Sequence, residues 1–529
     1  MENEKNTEDL SLDDSKEEST KILEEQSIEE SKDNNEEQVN KEEKPPKQRS
    51  LVKNGLFNTF YQILAILTPL ITTPYVSRIL GSTGIGVYSF THSLVTYFML
   101  IAGLGTLSYG TREIARRRQN KKDYSKAFFE IELLTVITSI ISLGIWLIVA
   151  FVYQEYSIYL LICSFYILST LFDISWLYIG LERINPMVIM NSICKILGVV
   201  FIFVFVKTAD DVFTYIMINA LVIAVSNLSM WLFLPRYITK AKIDFSSLKG
   251  HLKETLVYFI PSIATSIYTV LDKTLLGFIC QDDSLNGYYE QGTKIINLAK
   301  AVSFIGILGV VSPRMSFLYK VKEEERIKKT AKSTLNIVLF LSIAVSVGIA
   351  AIADVFVPMF FGEGYDLVVT ILYMMLPLCV IISVSSFLGD LYYTPVGKRK
   401  ESALYLIIGS CTNLVLNLCL IPFFNVYGAI IATLVAEIVI TVLYFIKSNG
   451  FISVKDLLGA MWKKLIAAAV MFVVIYFMKK INYNFFEKEI INQILENVIL
   501  IASGAIVYCI TCFLLRDKLY DIVMAKLHR

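Results

Sequence analysis

Lys195, Lys273, Lys294 and Lys300 stand inside long apolar runs of the chain. There an ammonium costs roughly 2.5–3.5 kcal/mol at the centre of a bilayer. Turned toward lipid, the four together would cost about 10 kcal/mol, comparable with the whole stability of a typical protein. They must face a wet or polar interior, where buried ammoniums can compensate an anion that lipid cannot solvate. Polar residues accompany them at helical spacing: at about 100° per residue, Ser262, Ser266, Thr269 and Lys273 fall within roughly 60° of one another. Lys294, Asn297 and Lys300 step round by about 60° each, and Asn191 lies one turn from Lys195. Asn54, Asn58 and Gln62 line one side of a first span, and Ser410, Asn413 and Asn417 one side of an eleventh. Polar faces on several helices predict a shared hydrated cavity.

Asp173, Asp272, Asp390 and Glu437 lie in the same runs and offer the other arrangement, four structural ion pairs. Asp272 adjoins Lys273, yet successive helical residues point about 100° apart, so the two need not be partners. The sequence is compatible with complete pairing and with a cavity that is net positive, in which Asp272 and Glu437 are candidates for charge coupling. Cys509 and Cys512 form a C-x-x-C beside Tyr508, Ile510 and Phe513. Redox or zinc chemistry needs a polar, accessible setting, so these cysteines read as small core-filling residues. With only His92, His251 and His528 available, a histidine-rich metal site lacks ligands. No G-x-x-x-x-G-K-[ST] occurs, so no P-loop ATPase is built in. The expectation is no catalytic residue, no metal and no cofactor, with an ion gradient or the membrane potential as the energy source.

The elements that hold these residues follow from composition. Of 529 residues, 55% are hydrophobic and 18% charged, against about 45–50% and about 25% in ordinary soluble chains. A cytosolic enzyme, a secreted disulfide scaffold and a nucleic-acid-binding protein are excluded. A bilayer core needs roughly 20 apolar residues per helix. On that rule an all-α polytopic membrane protein of about 14 spans is predicted, at 54–77, 84–108, 127–152, 156–180, 186–206, 211–234, 251–279, 292–313, 333–357, 365–392, 403–421, 427–446, 465–478 and 491–515. The thirteenth is short. With the amino terminus inside, inner segments carry 36 Lys and Arg and outer segments 5, which places both termini in the cytoplasm. Residues 1–49 hold 17 acidic against 8 basic groups and no aromatic residue. They cannot offset the entropy of ordering and read as a disordered acidic tail, either a docking arm or a dispensable extension. The outer loops are short, the longest near 280–291 and 479–490.

The chain repeats itself. Pro69, Ile79-Leu80-Gly81 and Gly86-Val87-Tyr88 return as Pro261, Leu275-Leu276-Gly277 and Gly287-Tyr288-Tyr289, offset by 196 residues at Gly81/Gly277 and 201 at Gly86/Gly287. A duplicated six-helix unit with two added helices fits, divided as a tail 1–49, a first lobe 50–240, a second lobe 241–450 and a last pair 451–529. Repeated halves rocking around a central site are how many transporters alternate access.

The run from Asn54 to Arg118, with Pro74-Tyr75-Val76-Ser77-Arg78-Ile79-Leu80-Gly81, Gly86-Val87-Tyr88-Ser89-Phe90 and Tyr109-Gly110-Thr111-Arg112-Glu113-Ile114-Ala115, resembles the opening of polysaccharide-biosynthesis (Wzx-type) oligosaccharide flippases. Leu271-Asp272-Lys273 through Gly277, then Gly287-Tyr288-Tyr289-Glu290 and Lys294-Ile295, resembles the start of that family's second half. The resemblance covers about 51–447, and multidrug exporters and lipid II flippases share the superfamily (MOP, MATE-like) architecture. It implies two six-helix lobes around a central cavity, and translocation of an undecaprenyl-pyrophosphate-linked glycan from inner to outer leaflet of the plasma membrane for capsule or other surface polysaccharide. It also implies polysaccharide polymerase machinery as a partner. The family's cationic cavity residues map to Lys273, Lys294 and Lys300; Lys195 joins them by phase and charge alone. The acidic tail departs from the family pattern. A cation or drug exporter would call for acidic cavity charges, and an outer-face glycan polymerase for acidic groups on a large outer loop.

The orientation is testable by single-cysteine labelling in a background free of native cysteine. An impermeant maleimide applied outside should reach position 286 and leave 120 and 325 unmodified; labelling of 120 in intact cells overturns the topology.

Overall fold

The computed structural model describes residues 48–481, 487 and 489–517. Of the tail read at 1–49, residues 1–47 lie outside the described residues, as do the side chains of Asn54, Asn58 and Ser262. Among the described residues the chain is helical with no strand. The main helices are α1 (Gln48–Gly103), α2 (Thr106–Arg117), α3 (Lys121–Val152), α4 (Ser157–Leu171), α5 (Asn185–Phe205), α6 (Val212–Met230) and α7 (Leu248–Ile279). They continue as α8 (Asp283–Lys300), α9 (Gly306–Lys320), α10 (Glu324–Phe361), α11 (Asp366–Leu388), α12 (Arg399–Lys447), α13 (Val454–Met478) and α14 (Glu489–Leu514).

Local chemistry explains several boundaries. Asn120 caps α3 by accepting from the Lys122 amide at 3.0 Å, Asp282 caps α8 from Ser284 at 2.9 Å, and Ser453 caps α13 from Asp456 at 3.0 Å. Two long helices contain breaks. In α1 the backbone turns left-handed at Gly81 (φ 66°), a conformation open to glycine at little cost, and in α12 at Asn425 (φ 50°), three residues after Pro422.

Eleven described segments are long and apolar enough to cross a membrane. Phe60–Arg117 and Arg399–Lys447 each hold two of the predicted spans, divided at Gly81 and Asn425. The 32-residue α7 stands beside these eleven, so the architecture is consistent with fourteen spans. The thirteenth is longer than hydropathy indicates: α13 runs 25 residues because Lys464, which the sequence places in an inner segment, is fully buried. Its ammonium meets Asp517 at 2.9 Å and Asn336 at 3.2 Å. The cysteine reading needs correcting too. Cys512 is buried but Cys509, Cys411 and Cys419 are exposed; an apolar run does not say which of its faces meets lipid and which meets protein.

The helices of 60–237 meet those of 248–447 along a polar seam on α1. Ser93 accepts from Thr274 at 2.9 Å, and Tyr97 lies 3.1 Å from the same hydroxyl. Gln291 donates to Ser77 at 2.9 Å, and Tyr365 to the Ser77 carbonyl at 3.0 Å. Between these, Gly86 faces Gly287 with no room for a side chain. A Cβ on Gly86 would sit 1.8 Å from the Asp283 carbonyl oxygen, and one on Gly287 1.9 Å from that of Ser82. These are equivalent members of the sequence repeat, and their mutual approach is what two related hairpins packed about a shared axis produce. Beyond this body, α13 and α14 pack on each other and on α10.

One expectation fails on this geometry. Residues near 286 read as an outer loop, but α8 begins at Asp283 and Asn286 is 1% exposed, so exposed Gln281 is the position to label. The Gly86/Gly287 approach gives its own test. Gly287→Ala should lower the unfolding free energy of the purified protein by about 1–3 kcal/mol through overpacking; unchanged thermal stability would mean that the two helices do not touch.

Candidate functional site

The polar run Asp283–Thr293 lacks the hydropathy of a span, yet with its N-cap and acidic first turn it is the opening of α8. That places Glu290 one turn before Lys294. The Lys273 ammonium lies 2.5 Å from Glu290 Oε2 and the Lys294 ammonium 3.8 Å from Oε1. Ser89 lies 3.3 Å from the same carboxylate and 3.2 Å from Asn286 Oδ1, while Asn286 donates to the Lys273 carbonyl at 2.7 Å. Two ammoniums thus share one carboxylate, and the cluster is net positive by one charge. Neither of the two arrangements read from the sequence describes it fully, because hydropathy assigns Glu290 to a loop. The clue was the spacing itself: Glu290 and Lys294 are i,i+4, the ion-pair spacing of a helix.

Asp272 is not the partner of Lys273. The two point to different sides of α7, and Asp272 collects neutral donors: Asn417 Nδ2 at 2.6 Å, Thr433 Oγ1 at 2.5 Å, Asn413 Nδ2 at 3.2 Å and the Tyr289 hydroxyl. The polar stripe predicted on the eleventh span is therefore the lining of a carboxylate cage. Its oxygens suit a proton or a hard cation. Among the described residues, no three His, Cys, Asp or Glu side chains converge as metal ligands.

The remaining candidates are dispersed. Lys294 and exposed Asn297 line a cavity of about 250 Å³ with Pro69 and Thr73 of α1 and Phe360 of α10. Lys300 is turned elsewhere, with Glu437 and Cys379 as its electrostatic neighbours. Two steps of about 60° and a rise of about 9 Å separate it from Lys294. A π-helical turn, Ala301–Ile305, follows immediately. Lys195 and Asn191 share a different cavity among the first-half helices, of about 390 Å³. Ser266 is half-buried and Thr269 exposed, the Thr269 hydroxyl donating to the Ser266 carbonyl at 2.9 Å. Gln62 is exposed, and the Asn58 side chain lies outside the described residues.

The family model for polysaccharide biosynthesis protein matches residues 51–319, and that for lipid II flippase MurJ matches 186–495. The chain is similar to two proteins that carry the name "Putative O-antigen transporter". One, of Shigella dysenteriae, is 26% identical over 386 residues, covering 72% of this chain and 96% of the relative. The other, of Escherichia coli K12, is 25% identical over 410 residues, covering 76% and 97%. Among solved structures, an inward-facing multidrug resistance MATE family transporter of the MOP superfamily matches with a TM-score of 0.52 at 13% identity, over 73% of this chain and 97% of its own. An outward-facing one matches at 0.50 and 15%, over 76% and 94%. At these identities the structural likeness is one of fold.

The cage around Asp272 makes a prediction of its own. Asp272→Asn turns an amide N–H toward four donors, and hydrogen bonds to a charged group are worth about 1.5–3 kcal/mol each. Losing one should lower the unfolding free energy by about that amount, read by thermal or chemical denaturation of the purified protein.

Proposed function

The chain belongs to the polysaccharide biosynthesis protein family, within the MOP superfamily of multi-pass membrane transporters and flippases. On that premise we propose that it carries an undecaprenyl-pyrophosphate-linked oligosaccharide from the inner to the outer leaflet of the plasma membrane, for capsule or another surface polysaccharide. Both termini are then cytoplasmic, and polymerase machinery takes the product at the outer face. The observation that carries the reading is the shared carboxylate. A diphosphate joining lipid to sugar bears a negative charge on each phosphate, and Lys273 and Lys294 present two ammoniums held by a single acid. Glu290 acts as a stand-in for the substrate: it compensates the lysines in the empty protein and gives way when the diphosphate arrives. Lysine offers a point charge rather than the two-pronged fit of arginine, which suits a headgroup that must be released.

The cavity beside Lys294, open between α1 and α8, lets the headgroup sit in water while the lipid tail stays in the bilayer. Asp272 is assigned to charge coupling, because a lone carboxylate in a neutral cage changes its charge when it takes a proton or a cation. Release outward requires the seam around Gly86 and Gly287 to part, so translocation by alternating access moves the two sets of helices against each other there. A cation exporter is disfavoured by the positive sign of the lysine cluster.

Reconstitution in sealed vesicles with lipid-linked oligosaccharides tests the reading. Lys273→Gln and Lys294→Gln should each slow translocation per folded molecule by about tenfold or more, the loss of one charge-assisted contact. Arginine at either position should retain part of it. If the cluster is only structural, the Gln variants lose folded protein but keep turnover, and pairing Lys273→Met with Glu290→Gln restores the yield.

A further inference from the structure

The motif Tyr109-Gly110-Thr111-Arg112-Glu113-Ile114-Ala115 has no part in the lysine cluster or the Asp272 cage. It lies on α2, which begins past a left-handed turn at Leu104 and Gly105 (φ 42° and 78°). One side of α2 is held tightly against the protein: a Cβ on Gly110 would sit 2.5 Å from the Trp176 ring, and Tyr109, Glu113 and Ile114 are buried. That fixes what the other side presents. At about 100° per residue, Leu107, Arg112, Ala115, Arg116 and the capping Arg118 fall on one half of the helix, and all five are exposed. Arg112, Ala115, Arg116 and Arg118, with Gln119, line an open recess of about 510 Å³.

Charge around the recess is incompletely compensated. Glu113 serves both Arg116, at 3.4 Å, and Arg117, at 2.5 Å, and Glu182 meets Arg118 at 2.7 Å. Arg112 donates to the Tyr258 hydroxyl of α7, a neutral partner, and has Glu254 as an electrostatic neighbour. Among these groups four guanidiniums face three carboxylates, an excess of one positive charge. The surface is also graded along its length. Leu107, in the first turn of α2, is 53% exposed, and the arginines follow toward the other end; α7, which packs on α2, has exposed Leu256 and Val257 inward of exposed Lys249 and Lys253. An apolar surface that ends in basic groups fits an acyl chain beneath an anionic headgroup, and the guanidinium fork matches the oxygens of a phosphate ester. A soluble anion would make no use of Leu107, Leu256 or Val257. We propose that α2 and the start of α7 form a binding site for the phosphodiester headgroup of an anionic phospholipid, a lipid that is held and not carried. The site rests on the membrane reading of the helices and is independent of the flippase reading.

The test measures lipid retention by the full-length protein, purified in detergent, with native mass spectrometry. The wild type should retain phosphatidylglycerol about tenfold more strongly than phosphatidylcholine, the contribution of one charge-assisted contact. Replacing Arg112, Arg116 and Arg118 together by Gln should bring that ratio near unity, and replacing them by Lys should keep part of it. Arg117 continues to pair with buried Glu113 in both variants, so both should remain folded. A control, Lys320→Gln with Lys328→Gln and Lys329→Gln, removes the same charge from another exposed segment and should leave the preference intact. Equal retention of the two lipids by the wild type, or a preference that survives the arginine-to-Gln variant, overturns the site. So does an equal loss in the lysine control, which would make the preference a matter of overall charge. Displacement of phosphatidylglycerol by inorganic phosphate at matched concentration would assign the recess to a free anion and overturns the lipid site as well.

Discussion

Glu290, held between Lys273 and Lys294, is the interaction on which the arrangement of the two sets of helices depends. It ties α7 to α8 by charge and reaches Ser89 of α1 across the seam. That last contact follows from backbone packing. Ser89 and Glu290 each lie three residues past a glycine, Gly86 and Gly287, and those glycines meet with no room for a Cβ. The repeat in the sequence thus has a physical consequence at the interface. Equivalent glycines bring equivalent helix starts together, and the next turn of each carries the polar group that meets its counterpart.

Helix α7 divides two charged sites that adjacent residues supply. Lys273 joins α8 through Glu290, whereas Asp272 turns to α12 and collects Asn413, Asn417 and Thr433. One site is net positive and one carries a lone carboxylate, and a rotation of about 100° along the helix keeps them apart. Because both are anchored on the same backbone, α7 cannot turn about its axis without disturbing both sets of contacts. This gives a physical route by which charge arriving at one could be felt at the other.

Much of this was legible in the sequence. The apolar runs mark the helices, and helical phase finds the face of Asn413 and Asn417. Phase could not say what that face meets, since partners lie on other helices. Hydropathy failed at Glu290 and at Lys464 for one reason: it treats a charged stretch as the edge of a span. Asp282 caps a helix that runs on through the polar segment, and Lys464 is drawn inward by Asp517. It failed at Cys509 for the complementary reason, because a helix in lipid is apolar on both its faces.

The lysines inside the helical body, Lys464 buried and the others half-buried, differ in what surrounds their charge. Lys464 has an acid in Asp517 and ties the end of α14 to α13. Lys273 and Lys294 share Glu290, which leaves one positive charge in excess. Lys195 faces a cavity lined by neutral groups, over an aromatic ring that compensates it only in part. Intramembrane charge is therefore informative about function only when its partner is known.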